Sequence, residues 1–172
     1  MSQLKVNSII PVGGVPTGGG GGIIQIVEDS TTTTATNTTT TFVDTNLSGT
    51  ITPISSSSKV LVIVQQQMFF ANNASGTGAG VNILRGSTEI YNAPKNSVGS
   101  YGQFISGGGL STLSHHYTKV LHILDSPNTT SATTYKTQFA MYEAGNNGSA
   151  IVQNASSPVN AKSFIYLMEV SA

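Results

Sequence analysis

The stretch Lys59–Phe70 constrains this chain more than any other, reading Lys-Val-Leu-Val-Ile-Val-Gln-Gln-Gln-Met-Phe-Phe. Its length and β-branched content predict a strand. Side chains alternate along a strand, so Val60, Val62 and Val64 face one way while Leu61 and Ile63 face the other. Both faces of the first half are apolar and both need a cover. Gln65, Gln66 and Gln67 then demand hydrogen-bond partners before Met68, Phe69 and Phe70 restore the apolar character. In a small antiparallel domain one cover is the opposing sheet of a sandwich. The other is a neighbouring subunit.

The rest of the chain repeats the theme. Ile23 to about Thr34 reads as a first strand with Ile24, Ile26 and Glu28 on one face. The Thr31–Thr41 run reads as extended with a turn near Asn37. Phe42, Val43 and Leu47 return to a core, and 50–52 reads as a short strand ended by Pro53. Residues 72–80, with Gly76, Gly78 and Gly80, read as a loop. A hairpin spans 81–84 and 88–91 around Arg85-Gly86-Ser87. Further strands are expected at 100–106, 113–124, 133–143, 150–153 and 163–170, with Tyr135, Thr137, Phe139 and Met141 sharing a face. Regular turn signals and the want of an amphipathic helix predict an all-β antiparallel sandwich of the jelly-roll kind. Apolar groups on both faces of 60–64, 120–124, 139–142 and 164–170 predict a homo-oligomer packed sheet against sheet.

Residues 1–22 read as a separate arm. Leu4, Val6, Ile9 and Ile10 could dock as a short extended peptide, and Pro11 to Gly22 is a Gly-rich connector. The five consecutive glycines lack the Gly-Lys-Ser/Thr ending of a phosphate loop. Residues 23–172 form the globular part. Charged residues are 8% of the chain and the net charge is zero, so no basic footprint for nucleic acid exists. The sequence has no cysteine, no signal-like apolar run and no segment of membrane-spanning length, which predicts a protein made in a cytoplasm and not inserted in a membrane.

Several blocks together resemble a family. Phe42-Val43-Asp44-Thr45-Asn46-Leu47-Ser48, Ile51-Thr52-Pro53, Ser58-Lys59-Val60-Leu61-Val62, Leu84-Arg85-Gly86-Ser87-Thr88, Leu124-Asp125-Ser126-Pro127, Thr133-Thr134-Tyr135-Lys136 and Leu167-Met168-Glu169-Val170 resemble the C-terminal module of tail-fibre-like proteins of marine bacteriophages. The opening Leu4-Lys5-Val6-Asn7-Ser8-Ile9 resembles the start of many virion proteins of such phages. The resemblance implies a homotrimeric sandwich similar in outline to C1q and tumour-necrosis-factor heads. It implies a place on the virion, contact with other tail or virion proteins through the arm, and contact with a host surface glycan or envelope protein. A capsid decoration or head-fibre protein is the alternative, and it uses the same arm and trimer.

Chemistry beyond binding finds little support in the residues. Glycan hydrolysis needs paired carboxylates. Asp44, Asp125, Glu143 and Glu169 are isolated, Glu28 and Asp29 point to opposite faces, and Asp44 and Asp125 read as turn caps. Gly99-Ser100-Tyr101-Gly102 misses the spacing of a serine elbow. No catalytic residue, cofactor or metal is therefore expected. His116 and His122 share a strand face but stand about 20 Å apart, too far to share an ion within one chain. His115, His116 and His122 read more plainly as interface or loop histidines, although copies of one His around a trimer axis would suit a transition metal. Tyr91 and Tyr101 flank a loop holding Asn92, Lys95 and Asn96, a composition that suits a shallow glycan site.

Overall fold

A computed structural model describes residues 22–72, 77–92, 104–105, 113–141, 148–154 and 161–172. The described residues contain no helix. The strands are β1 (Ile23–Thr31), β2 (Ala35–Asn37), β3 (Val43–Ile51), β4 (Lys59–Asn72), β5 (Thr77–Arg85), β6 (Thr88–Tyr91), β7 (Phe104–Ile105), β8 (Leu113–Asp125), β9 (Thr133–Met141), β10 (Ser149–Val152) and β11 (Ser163–Val170). They form two antiparallel sheets, and the fold is a β-sandwich. The principal strands run β1-β11-β4-β8 in the first sheet and β3-β9-β5-β6 in the second. Counted first to eighth in chain order, they pair as first–eighth–third–sixth and second–seventh–fourth–fifth, which is jelly-roll order.

Strand β4 is the spine. It pairs with β8 along its whole length, from Val60↔Asp125 to Asn72↔Leu113. On its other side β11 covers Lys59 to Gln65, and β10 covers Met68 to Ala71. Both run antiparallel to β4 on the same side, so β10 and β11 lie along one line with a break between Val152 and Ser163. Strands β1 and β2 answer them in the same way across the 32–34 break, β1 pairing with β11 and β2 with β10.

The core lies between the sheets. Val60, Val62, Val64, Met68, Ile165 and Leu167 meet Leu47, Ile51, Val81, Ile83, Phe139 and Met141, and all are buried. Tyr135, Thr137, Phe139 and Met141 share the inward face of β9 as their alternation predicts. Gly49 lets the sheets close tightly on the β3 side: a Cβ there would lie 3.2 Å from Ile165 Cγ2 and 3.3 Å from Leu167 Cδ1.

A polar network crosses this core where β10 gives way to β11. Gln66, Thr45, Thr137, Gln153 and Ser163 are all fully buried. Thr45 and Thr137 share a hydroxyl hydrogen bond, and Thr137 Oγ1 donates to Gln66 Oε1 at 3.0 Å. Ser163 Oγ accepts from Gln66 Nε2 and from the Gln67 amide, each at 2.9 Å. Oriented to pair every atom, the Gln153 amide accepts from Gln66 Nε2 and Ser163 Oγ at 2.6 Å and donates to the Thr33 and Thr45 carbonyls at 3.1 Å. Gln153 has φ 47, a left-handed conformation that L-residues hold only when their surroundings impose it. The glutamine run needs hydrogen-bond partners. Here Gln66 finds them inside the core, and Gln67 Nε2 finds Thr118 Oγ1 at 2.9 Å on the surface.

Three sequence expectations need correction and one is met. Residues 77–80 belong to β5, with Gly78 and Gly80 buried against neighbouring strands rather than forming a loop. Residues 43–51 are one strand, bulged where Asn46 has φ 65, and Val43 is exposed. The turn expected near Asn37 is there, directly after the three-residue β2: Asn37 Oδ1 accepts from Thr39 N at 2.8 Å, and its Nδ2 donates to Thr41 O at 2.8 Å. Asp44 and Asp125 do not cap turns. Both make ion pairs between strands.

Candidate interaction surface and loop end

Pairing register places each surface residue in a cross-strand row. On the outer face of the β1-β11-β4-β8 sheet, one row reads Ile26–Met168–Leu61–Leu124. The next reads Glu28–Tyr166–Ile63–His122, and the third Ser30–Phe164–Gln65–Val120. Gln67 and Thr118 follow, and then Ile151–Phe69–His116. Ile26 is 60% exposed, Val120 55% and Leu124 50%. Phe164 and Tyr166 stack at 6.3 Å along β11, Lys162 Nζ sits 5.0 Å over the Phe164 ring, and Phe69 leans on His116 at 4.5 Å. Three of the four doubly apolar stretches seen in the sequence lie here. In the fourth, β9, the outward Ala140 is buried within the second sheet.

The outer face of the second sheet is built differently. Lys136 Nζ and Gln138 Nε2 both donate to Asp44, at 2.9 and 2.7 Å. Burial alone would raise the Asp44 carboxyl, but the Lys136 and Gln138 hydrogen bonds and the lysine charge hold it below its ordinary value. Thr50 and Thr134 share a hydroxyl hydrogen bond of 2.8 Å, and Asn82 Nδ2 donates to Glu89. Polar groups there satisfy one another.

The two ends of the sandwich also differ. Gly22, the 52–58 connection, the 86–87 turn and Ala172 lie at one end, where the Ser171 amide donates to the Gly22 carbonyl at 2.9 Å. Asn72, Leu113 and Met141 lie at the opposite end, whereas Tyr91 pairs with Ile83, two residues from Arg85, in the half nearer Gly22. Of the candidate glycan-site residues, Tyr91 is half-buried against the core and Asn92 is exposed, both in the half of the sandwich nearer Gly22. Lys95, Asn96 and Tyr101 lie outside the described residues, as do the arm residues Leu4, Val6, Ile9 and Ile10. Beneath the loop end Phe70 and Tyr117 meet edge to face at 5.9 Å, and His115 stacks on Tyr117 at 5.7 Å. The buried Tyr117 hydroxyl has no hydrogen-bond partner among the described residues, and burial raises its pKa. His116 and His122 both point outward from β8, as their spacing predicts, and His115 points inward. No group of three metal-ligating side chains occurs among the described residues.

Two polar clusters escaped the sequence reading. At the arm end Arg85 Nη1 donates to both Asp125 oxygens, at 2.9 and 2.8 Å, and to the Ser126 carbonyl at 3.1 Å. Tyr135 Oη donates to Asp125 Oδ2 at 2.8 Å, and burial together with the Asp125 carboxylate raises the pKa of the phenol. This cluster ties β5 and β9 of one sheet to β8 of the other. Glu169 is fully buried, and its Oε1 accepts from the Ile54 amide at 2.8 Å and the Ser55 amide at 3.4 Å, pinning the 52–58 connection. Only the types and wide spacing of these residues were visible in the sequence, and neither signals a contact.

No protein-family model matches the chain, and no curated protein matches it. Among solved structures it overlaps one described as "Structure of infectious bursal disease virus Gx strain", with 11% identity and a TM-score of 0.36, over 98% of this chain. The chain spans 43% of the length of that neighbour.

Proposed function

We propose that the chain is a virion structural protein, a phage tail fibre or spike that attaches through its N-terminal arm and touches the host surface with the loops at the far end of a self-associating sandwich. The observation that carries this reading is the division of the two ends. The junction with residues 1–21 is at Gly22, and Asn72, Leu113 and Met141, which border three of the connections, lie at the other end of β4, about 45 Å away at strand rise, while the 93–100 stretch follows Asn92 in the half nearer Gly22. Loops on a rigid strand scaffold suit binding, and their sequences can change without disturbing the strands.

The apolar outer face supports self-association as a homotrimer. Four strands by thirteen paired residues of β4 and β8 make a face of roughly 800 Å², about what each partner buries in a standard interface. Closed rings of identical chains are a common way to cover such a face. Three weak glycan sites carried on one head would then act together, and avidity rises without new contacts. The reading is one of binding rather than catalysis.

The test is adsorption. Virions carrying an unrelated sequence at 93–100 should assemble, retain the protein and adsorb poorly to the host. Normal adsorption by that variant, and by equivalent replacements at 73–76 and 106–112, would transfer the chain to the decoration reading.

A further inference from the structure

Resting on the self-association proposed above, we infer that copies meet edge to edge, the β1 edge of one against the β8 edge of the next, with Glu28 of one copy paired to His122 of its neighbour. Copies attached through arms that all leave at the Gly22 end must point the same way. Their symmetry axis is then parallel to the strands. Rotation about such an axis preserves height along the strands, so a residue can meet only residues of its own row. It also brings the left edge of one face to the right edge of the next, whether two or three copies close the ring.

The row ends fit that geometry. In the first row Ile26 and Leu124 are the edge residues, both apolar and at least half exposed. In the second row the edge residues are Glu28 and His122, an acid and the base that can answer it. Neither makes an ion pair among the described residues. The charged and titratable groups near them on this face are few. Tyr166 lies in the same row, Lys59 lies beyond the first row opposite Val170, Lys162 covers Phe164, and His116 is at the loop end. Asp29 and Lys119 stand on the same two edges but point to the other face of the sheet, in the rows of Leu121 and Gln66.

The experiment is a double-substitution cycle on the full chain, read by sedimentation equilibrium between pH 6 and 8. Association of the unaltered protein should tighten by about tenfold from pH 8 to pH 6, as His122 gains charge opposite Glu28. Glu28→Gln and His122→Gln should each abolish that response, and the double variant should associate no more weakly than the weaker single. Exchanging the two residues, Glu28→His with His122→Glu, should restore the response. Both sites are exposed, so each variant should melt as the unaltered protein does. An assembly that forms but keeps its pH response in both single variants, or loses affinity additively, overturns the edge pairing alone. A protein that stays a single chain at all concentrations overturns the pairing together with the self-association beneath it.

Discussion

The two outer faces of this sandwich are made by the same chain under the same rules, yet they end differently. On the β3-β9-β5-β6 sheet, Asp44, Lys136, Gln138, Thr50 and Thr134 close their hydrogen bonds on each other. On the β1-β11-β4-β8 sheet the rows are apolar at Ile26, Met168, Leu61 and Leu124, and Glu28 and His122 are left open at the two edges. A face whose polar groups pair within themselves is finished in water. A face whose apolar rows continue to its edges, where its charges stay open, has a surface that a second copy can finish.

The sharpest way to break this comparison is to place the same change on the inward and the outward residues of the first sheet. Leu167→Asp or Val62→Asp puts a lone carboxylate at a fully buried position and should abolish the cooperative melt, a cost of about 3–5 kcal/mol or more. Leu61→Asp sits one residue from Val62 on the outer face. It should melt nearly as the unaltered chain does while sedimenting as a single chain. If Leu61→Asp also unfolds the protein, the outer face is part of the folding core and not an interface.

That contrast was already legible in the sequence, because a run such as Val60–Val64 forces two apolar faces whatever the fold around it. Strand positions followed from alternation, and the jelly-roll order matched the kind of sandwich expected. What stayed hidden depends on contacts distant in sequence. Gly76, Gly78 and Gly80 look like a loop because glycine is read as punctuation, yet Gly78 and Gly80 lie buried in β5. The continuity of β10 with β11 cannot be seen along the chain, since both pair with β4 rather than with each other. Three of the short blocks that carried the family resemblance, around Arg85, Asp125 and Tyr135, turn out to meet in one cluster. As separate blocks they read as a hairpin turn, a strand end and a strand start. The recognition residues proposed from composition fall mostly outside the described residues, and of the two that are described Tyr91 is committed in part to packing.

Smaller effects sharpen the same comparison. Asp125→Ala strips Tyr135 of its acceptor and Arg85 of its carboxylate partner, leaving Arg85 only the Ser126 carbonyl, and should cost about 2–3 kcal/mol by denaturant melt, with the oligomer unchanged below the transition. Gly49→Ala, where the added methyl would crowd Ile165 and Leu167, should cost about 1–3 kcal/mol in the same assay. Least of all, Lys136→Met on the finished face should change stability by less than about 0.5 kcal/mol. The Asp44 carboxyl is held low in the folded state, so its small contribution is present above the ordinary carboxylate range and is lost as pH falls through its folded value. The unaltered chain should show that loss at low ionic strength, and Lys136→Met, which keeps only the Gln138 hydrogen bond, should show less of it. A large effect of Lys136→Met would mean that this face, too, carries an interface.

The opposite placement of Gly22 and the loops has a mechanical consequence. On the proposed reading, a particle held at one end and a host at the other would pull on β1 along its own axis. The β1·β11 ladder runs in register from Ile23↔Val170 to Thr31↔Ser163, with a shift near Gln25, and its hydrogen bonds lie across the line of pull. Such a load shears the whole ladder at once instead of peeling it bond by bond from an end. The seam nearest the arm is therefore loaded in its stronger direction, and a tether built this way resists tension without a single covalent cross-link.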